Sequence, residues 1–107
     1  MVKWANNQVG AKHDPIKNLK DKSLSDGTYL IHLLSTIEPR AVNWDIVSKD
    51  GSDEGMETNA KYVISIARKL NAVVFLVWDQ IVSVNPKQML ILFCTLQELK
   101  NNYSAPE

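Results

Sequence analysis

One cysteine, Cys94, is all the sulfhydryl chemistry the chain has, so no internal disulfide can form and a reducing, cytoplasmic setting is the expectation. The four glycines, Gly10, Gly27, Gly51 and Gly55, are too scattered to build a phosphate-cradling loop. Only two histidines are present, His13 and His32, and with one cysteine and no short ligand spacing they do not make a zinc site. No long apolar run exists. The longest, Ala72 to Trp78, is far too short to span a bilayer, and the N-terminus has no apolar signal core. Neither sign of charge is in excess, with 12 basic and 12 acidic residues. That balance speaks against nucleic acid and against an anionic membrane as partners. A single soluble, cytosolic domain is the expectation for 107 residues. Met1 falls almost directly before a helical pattern, as in an excised domain with an added start residue.

The charge that is present is unevenly spread. Lys3, Lys12, Lys17, Lys20 and Lys22 outnumber Asp14 and Asp21 at the N-terminal end. Glu38, Asp45, Asp50, Asp53, Glu54 and Glu57 outnumber Arg40 and Lys49 in the middle. Solvated surface accounts for such charges, and so does orientation on a charged partner.

Hydrophobic periodicity predicts helices throughout. Val2 to Val9 sets Trp4, Ala5 and Val9 on one face, and Gly10 stops it. An irregular connection follows to Lys22, anchored by Ile16 and Leu19. Ser25 is the expected cap of the next helix, with Leu24 and Tyr29 as a hydrophobic staple. Leu30, Leu33, Leu34 and Ile37 form its stripe, and Pro39 ends it. Gly27 in its first turn is a poor helix former and implies close backbone packing there. Val42 to Val47 is expected to make a brief turn, and Lys49 to Gly55 an acidic loop. A helix is predicted over 56–70, with Asn59, Val63, Ala67 and Leu70 inward and Tyr62 and Ile66 flanking. Arg68 and Lys69 suit its C-terminal dipole, and Asn71 suits a left-handed cap. Ala72 to Val77 is read as a buried linker, since no partner strand exists. Asn85, Pro86 and Gln88 start the last helix, striped by Met89, Leu92, Phe93 and Leu96. Leu90, Ile91 and Cys94 widen that stripe and point to the centre of a bundle. The polar tail from Asn101 to Glu107 is expected to fray.

Catalytic chemistry finds little support. A cysteine–histidine pair requires Cys94 near His13 or His32, whereas Cys94 reads as a small core residue within an apolar helix. Asp50, Ser52, Glu54 and Gly55 fall at the first, third, fifth and sixth positions of a calcium loop, but Lys61 occupies the twelfth, where a glutamate is needed. Trp4 and Trp44 read as core or clamp residues. Trp78, beside Asp79 at a turn, is either that or a partner contact.

Several runs carry a family resemblance along almost the whole chain. They are Trp4, then Leu19, Lys20, Asp21, Leu24, Ser25, Asp26 and Gly27, then Leu33, Leu34 and Pro39. The Val42 to Asp45 run, Asn59-Ala60-Lys61-Tyr62, Ala67-Arg68-Lys69-Leu70 and Val84-Asn85-Pro86-Lys87 complete the set. Together they resemble the calponin-homology family, in its fimbrin/plastin branch, and look most like the fourth, C-terminal domain of a fimbrin. Fimbrins typically carry Pro-Glu-Asp at the turn before the short penultimate helix, where this chain has Trp78, Asp79 and Gln80.

The resemblance implies an all-α domain of four main helices plus short connecting ones, without catalytic activity, cofactor or metal. It implies filamentous actin and a preceding calponin-homology domain of the same chain as partners, in an actin-bundling, cross-linking protein of the cytoplasmic cytoskeleton. The second member of such a pair usually binds actin weakly alone. Its first helix and the basic segment after it are the actin-facing candidates, here Lys3, Asn6, Asn7, Lys12, Lys17, Lys20 and Lys22. Trp4, Asp26, Gly27, Leu33, Leu34, Trp44, Asn59 and Ala67 are the structural positions of the motif. Two alternatives stand beside this reading: a single domain serving microtubules or a signalling partner, and a scaffold that only packs on its neighbour.

Overall fold

Leu30, Leu33, Leu34 and Ile37 form the buried stripe of a helix in the computed structural model, as their spacing predicts. The structure describes residues 2–10, 15–18, 20–48, 52–70, 72, 74 and 77–102. The helices are α1 Val2–Val9, α2 Thr28–Ile37, α3 Asp53–Lys69, α4 Trp78–Val82 and α5 Pro86–Asn102. Single 3₁₀ turns lie at Lys22–Asp26, Pro39–Ala41 and Trp44–Ile46. Among the described residues all regular structure is helical, so the all-α expectation holds.

The central helix is α2, not α5. No charged residue interrupts Thr28–Ile37, and α2 packs against α1, α3 and α5, with Tyr29, Leu30, Ile31, Leu33 and Leu34 fully buried. Helix α5 turns only Met89, Leu92, Phe93 and Leu96 inward. Leu90 and Ile91 are about half exposed, at 47% and 46%, and Cys94 is exposed too. At 3.6 residues per turn these three lie on the far side of the helix from the buried stripe. The expectation that they widen the core is therefore corrected. Of its two readings, core or clamp, Trp44 does not take the core one. It sits on its 3₁₀ turn at 36% exposure, leaning on the His32 ring with centroids 4.5 Å apart, and Val47 enters the core instead.

Helix starts follow their caps. Asn85 Oδ1 accepts from the Gln88 amide at 3.2 Å, and α5 begins at Pro86 as the sequence signals. Ser52 Oγ accepts from the Gly55 amide at 3.0 Å, so α3 begins at Asp53, earlier than predicted. Asp53 and Glu54 belong to that first turn, where the helix dipole favours them, rather than to an acidic loop. Ser25 does not cap α2. It lies in the preceding 3₁₀ turn and donates to the Val82 carbonyl at the end of α4. Asp26 acts in its place, its Oδ1 accepting from the Thr28 amide at 2.9 Å and the Thr28 hydroxyl at 2.7 Å. Asn101 and Asn102 are still helical, so the polar end is ordered further than expected. Asn71 and Leu19 lie outside the described residues.

Two asparagines knit the connections to the core. Asn59 on α3 is 1% exposed. Its Nδ2 donates to the Asp26 carbonyl at 2.9 Å and the Ser48 carbonyl at 2.8 Å, while its Oδ1 accepts from the Ser48 amide at 2.8 Å. Asn6 on α1 reads the backbone of Ile16 in both directions, at 2.9 and 3.0 Å, and its Oδ1 also accepts from the Tyr29 hydroxyl at 2.7 Å. The Tyr29 ring stacks on Phe93, centroids 6.3 Å apart. At the far end of the bundle, Lys100 Nζ donates to the Thr36 carbonyl at 2.9 Å, satisfying an orphan acceptor near the end of α2.

Burial pushes the Tyr29 phenol up from 10.0 to about 12. The folded state thus holds this proton more tightly than the unfolded chain. The resulting stability is intact below pH 10 and is lost as pH climbs toward 12. In Tyr29→Phe that contribution to the alkaline limb is expected to vanish, with a loss near neutrality of about 1 kcal/mol for the missing hydrogen bond. Thermal denaturation of both proteins across the alkaline range checks this. Parallel curves would show that Tyr29 does not drive the limb.

Candidate functional site

Helix α1 buries Ala5 and Val9 and leaves Lys3 and Asn7 exposed, four residues apart and hence on one outward face. Trp4 is half-buried and packs on the core edge. Asn6 is half-buried with both ends of its amide engaged inside the domain, so it positions α1 and the segment after it. Gly10, at φ 62, ends the helix in the left-handed region.

The following basic segment is shaped by short turns. Asp21 Oδ2 accepts from the Lys17 amide at 2.9 Å, and Asn18 Oδ1 from the Lys20 amide at 2.8 Å. Lys17, Lys20 and Lys22 all end exposed. Lys20 borders an open depression of about 510 Å³ together with Val2, Asn18, Pro86 and Leu90. The structure therefore brings Lys20 to the start of α1 and to the outer side of α5. Lys17 and Lys22 are not part of that lining. Lys12 and His13 lie outside the described residues.

The remaining motif positions are structural in their surroundings. Leu33, Leu34 and Ala67 are fully buried. Gly27 takes φ 78, and a Cβ there would stand 3.0 Å from Asn59 Cβ and 3.2 Å from its carbonyl carbon. The close backbone approach inferred from Gly27 is thus an approach to α3, at the residue that also binds the Asp26 carbonyl.

Sequence reasoning passed over two surfaces. One is the outward strip of α5, Leu90, Ile91 and Cys94, where apolar character was taken as a sign of burial. The other is a concavity between α3 and the start of α4 that contains Trp78. Its signal was the spacing of Lys61, Ile64, Ser65 and Arg68, which share one side of α3. Trp78, Asp79 and Gln80 form the first residues of α4 itself, and Gln80 Oε1 accepts from the Val77 amide at 2.9 Å. Among the described residues no group of three metal-binding side chains is gathered.

The helices form a bundle whose polar features lie on open helix faces. The sequence profile of the calponin homology (CH) domain matches residues 1–102, and the chain belongs to that family. Fimbrin-3 of Arabidopsis thaliana is 44% identical over 98 residues, covering 90% of this chain and 14% of its own length. Plastin-1 of Homo sapiens is 35% identical over 99 residues, covering 90% of this chain and 16% of its own. The chain therefore spans a small part of these relatives. The crystal structure of the actin-crosslinking core of Schizosaccharomyces pombe fimbrin superposes with a TM-score of 0.83 at 35% identity, over 89% of this chain and 21% of that one.

Proposed function

We propose that the chain is an actin-filament-binding module, the second member of a tandem CH pair in a fimbrin-like cross-linking protein, and most like a fourth, C-terminal domain. The observation that carries this reading is the match of nearly the whole chain to fimbrins and to a fimbrin core described as actin-crosslinking. The outward face of α1, with Lys3 and Asn7, and the basic turn with Lys17, Lys20 and Lys22 supply positive charge for an acidic filament. Lys12 belongs to the same proposal by sequence. The exposed Leu90 and Ile91 of α5 supply apolar surface for a preceding CH domain. The setting is the cytoplasmic actin cytoskeleton, and no catalytic role is assigned.

Binding by the isolated domain is weak in this reading, because joining two modules raises effective concentration without new contacts. Cosedimentation with filamentous actin is expected to show a large gain when the chain is covalently joined to an upstream CH domain. Equal affinity for the chain and the pair counts against the tandem reading, and sedimentation with microtubules instead favours the single-domain alternative. Within the pair, Lys3→Glu is expected to weaken cosedimentation with no change in melting temperature, an effect that fades as salt shortens the screening length below about 8 Å. Lys87→Glu, at the start of α5, is expected to do less. Normal low-salt binding by Lys3→Glu would remove α1 from the filament contact.

A further inference from the structure

The concavity between α3 and α4 has a chemistry of its own, and none of its lining residues belongs to α1 or to the basic turn. It has a volume of about 390 Å³ and is lined by Lys61, Ile64, Ser65, Arg68, Val77 and Trp78. The four α3 residues follow the spacing i, i+3, i+4, i+7, so one side of the helix forms one wall. Val77 and the half-buried Trp78 form the other, and Val77 is 54% exposed. Lys61 Nζ lies 5.5 Å from the centre of the Trp78 ring, close enough for a cation–π contact.

Among the described residues of the lining both charges are positive and none is a carboxylate. Lys61 is paired with Glu57 at 3.2 Å, but that pair joins exposed side chains one turn apart and is easily exchanged. Among the described residues no carboxylate pairs with Arg68, which is exposed. Ile64 and the Trp78 ring place apolar surface between the two cations, and Ser65 adds a hydroxyl.

We propose that this groove binds an acidic linear peptide of a partner protein, with an apolar side chain seated between two carboxylates. The spacing selects the form of the ligand. Seven helical residues separate Lys61 and Arg68 by about 10.5 Å along the axis. Alternate side chains of an extended peptide share one face, and four residues cover about 13 Å, a span that the long Lys61 and Arg68 side chains can meet. The motif is therefore an acid, an apolar residue two positions on, and a second acid two positions further. The apolar side chain packs against Ile64 and Trp78, the two cations form charge-assisted hydrogen bonds with the carboxylates, and the Ser65 hydroxyl bonds the peptide backbone. A bare phosphate matches the cations but leaves the Ile64–Trp78 surface unused.

The test is a nuclear magnetic resonance titration of the full chain with the blocked peptide Gly-Ser-Glu-Ser-Phe-Ser-Glu-Gly-Ser. Saturable shifts are expected at Lys61 to Arg68 and at Val77 to Gln80. Trp78→Ala is expected to weaken binding about tenfold or more. The double variant Lys61→Glu with Arg68→Glu is expected to abolish it with an unchanged melting temperature, since both side chains are exposed. A peptide with glutamine for both glutamates is expected not to bind. Shifts elsewhere, no shifts, or equal binding of the glutamine peptide would overturn the proposal. Competition by inorganic phosphate, or binding to phosphatidylserine vesicles that blocks the peptide, would overturn it in favour of an anion or membrane site.

Discussion

Asn59→Ala is expected to destabilise the domain by about 3 kcal/mol, because it removes three hydrogen bonds to part-buried backbone groups at once. The Ser48 amide, the Ser48 carbonyl and the Asp26 carbonyl all bond to this one side chain. Loss of about 3 kcal/mol in a domain of this size lowers the melting temperature by roughly 12–24 °C. Asn59→Asp separates donor from acceptor. The aspartate still accepts from the Ser48 amide but sets a carboxylate against two carbonyl oxygens, so a loss at least as large is expected at neutral pH. Thermal denaturation followed by circular dichroism measures both variants. A loss below about 1 kcal/mol for Asn59→Ala would mean that water replaces the amide without penalty.

Gly27→Ala is expected to cost about 2–4 kcal/mol, and Gly27→Leu more, from two sources that add. The φ of 78 lies in the left-handed region, which an L side chain disfavours. The new Cβ also meets Asn59 Cβ at 3.0 Å and its carbonyl carbon at 3.2 Å. The second source can be separated from the first. Asn59→Ala keeps the Cβ and so gives no relief, whereas Asn59→Gly removes one of the two clashing atoms. In a double-mutant cycle the pair Gly27→Ala and Asn59→Gly is expected to be less destabilising than the sum of the single changes. If a Gly27 variant kept its melting temperature but lost filament binding, this residue would belong to the binding surface instead.

Legibility from sequence tracked how local each signal is. Asn85, Pro86 and Gln88 lie together in the chain, and the start of α5 followed from them alone. The α2 stripe was equally plain, because no charged residue interrupts it. Ser25 resembled a cap by residue type and position, yet its hydroxyl is taken by Val82, 57 residues away. That choice depends on where α4 docks, which no local pattern records. Cys94 stands outside the core for a related reason. Hydrophobic character identifies residues able to enter a core, not those for which the core has room. Val47 and the inward stripe of α5 occupy the space available. For the candidate surface, Lys3, Asn6 and Asn7 enter the sequence reading through the family resemblance, which does not separate the exposed Lys3 and Asn7 from Asn6, a brace. Its partners, Ile16 and Tyr29, meet only when α1 rests on α2.

The Asn59 clasp also has a meaning in time. Its partners lie 11 and 33 residues away, Ser48 within the segment that joins α2 to α3 and Asp26 in the turn before α2. Asp26 lies ahead of α2, so the three bonds can all close only after α2 and α3 have met, and they are expected to form late, after the barrier that folding must cross. A contact made after the barrier leaves the folding rate alone and slows escape from the native state. In Asn59→Ala the unfolding limb of the chevron is therefore the one that moves. What the clasp chiefly sets is how long the domain, once folded, stays folded.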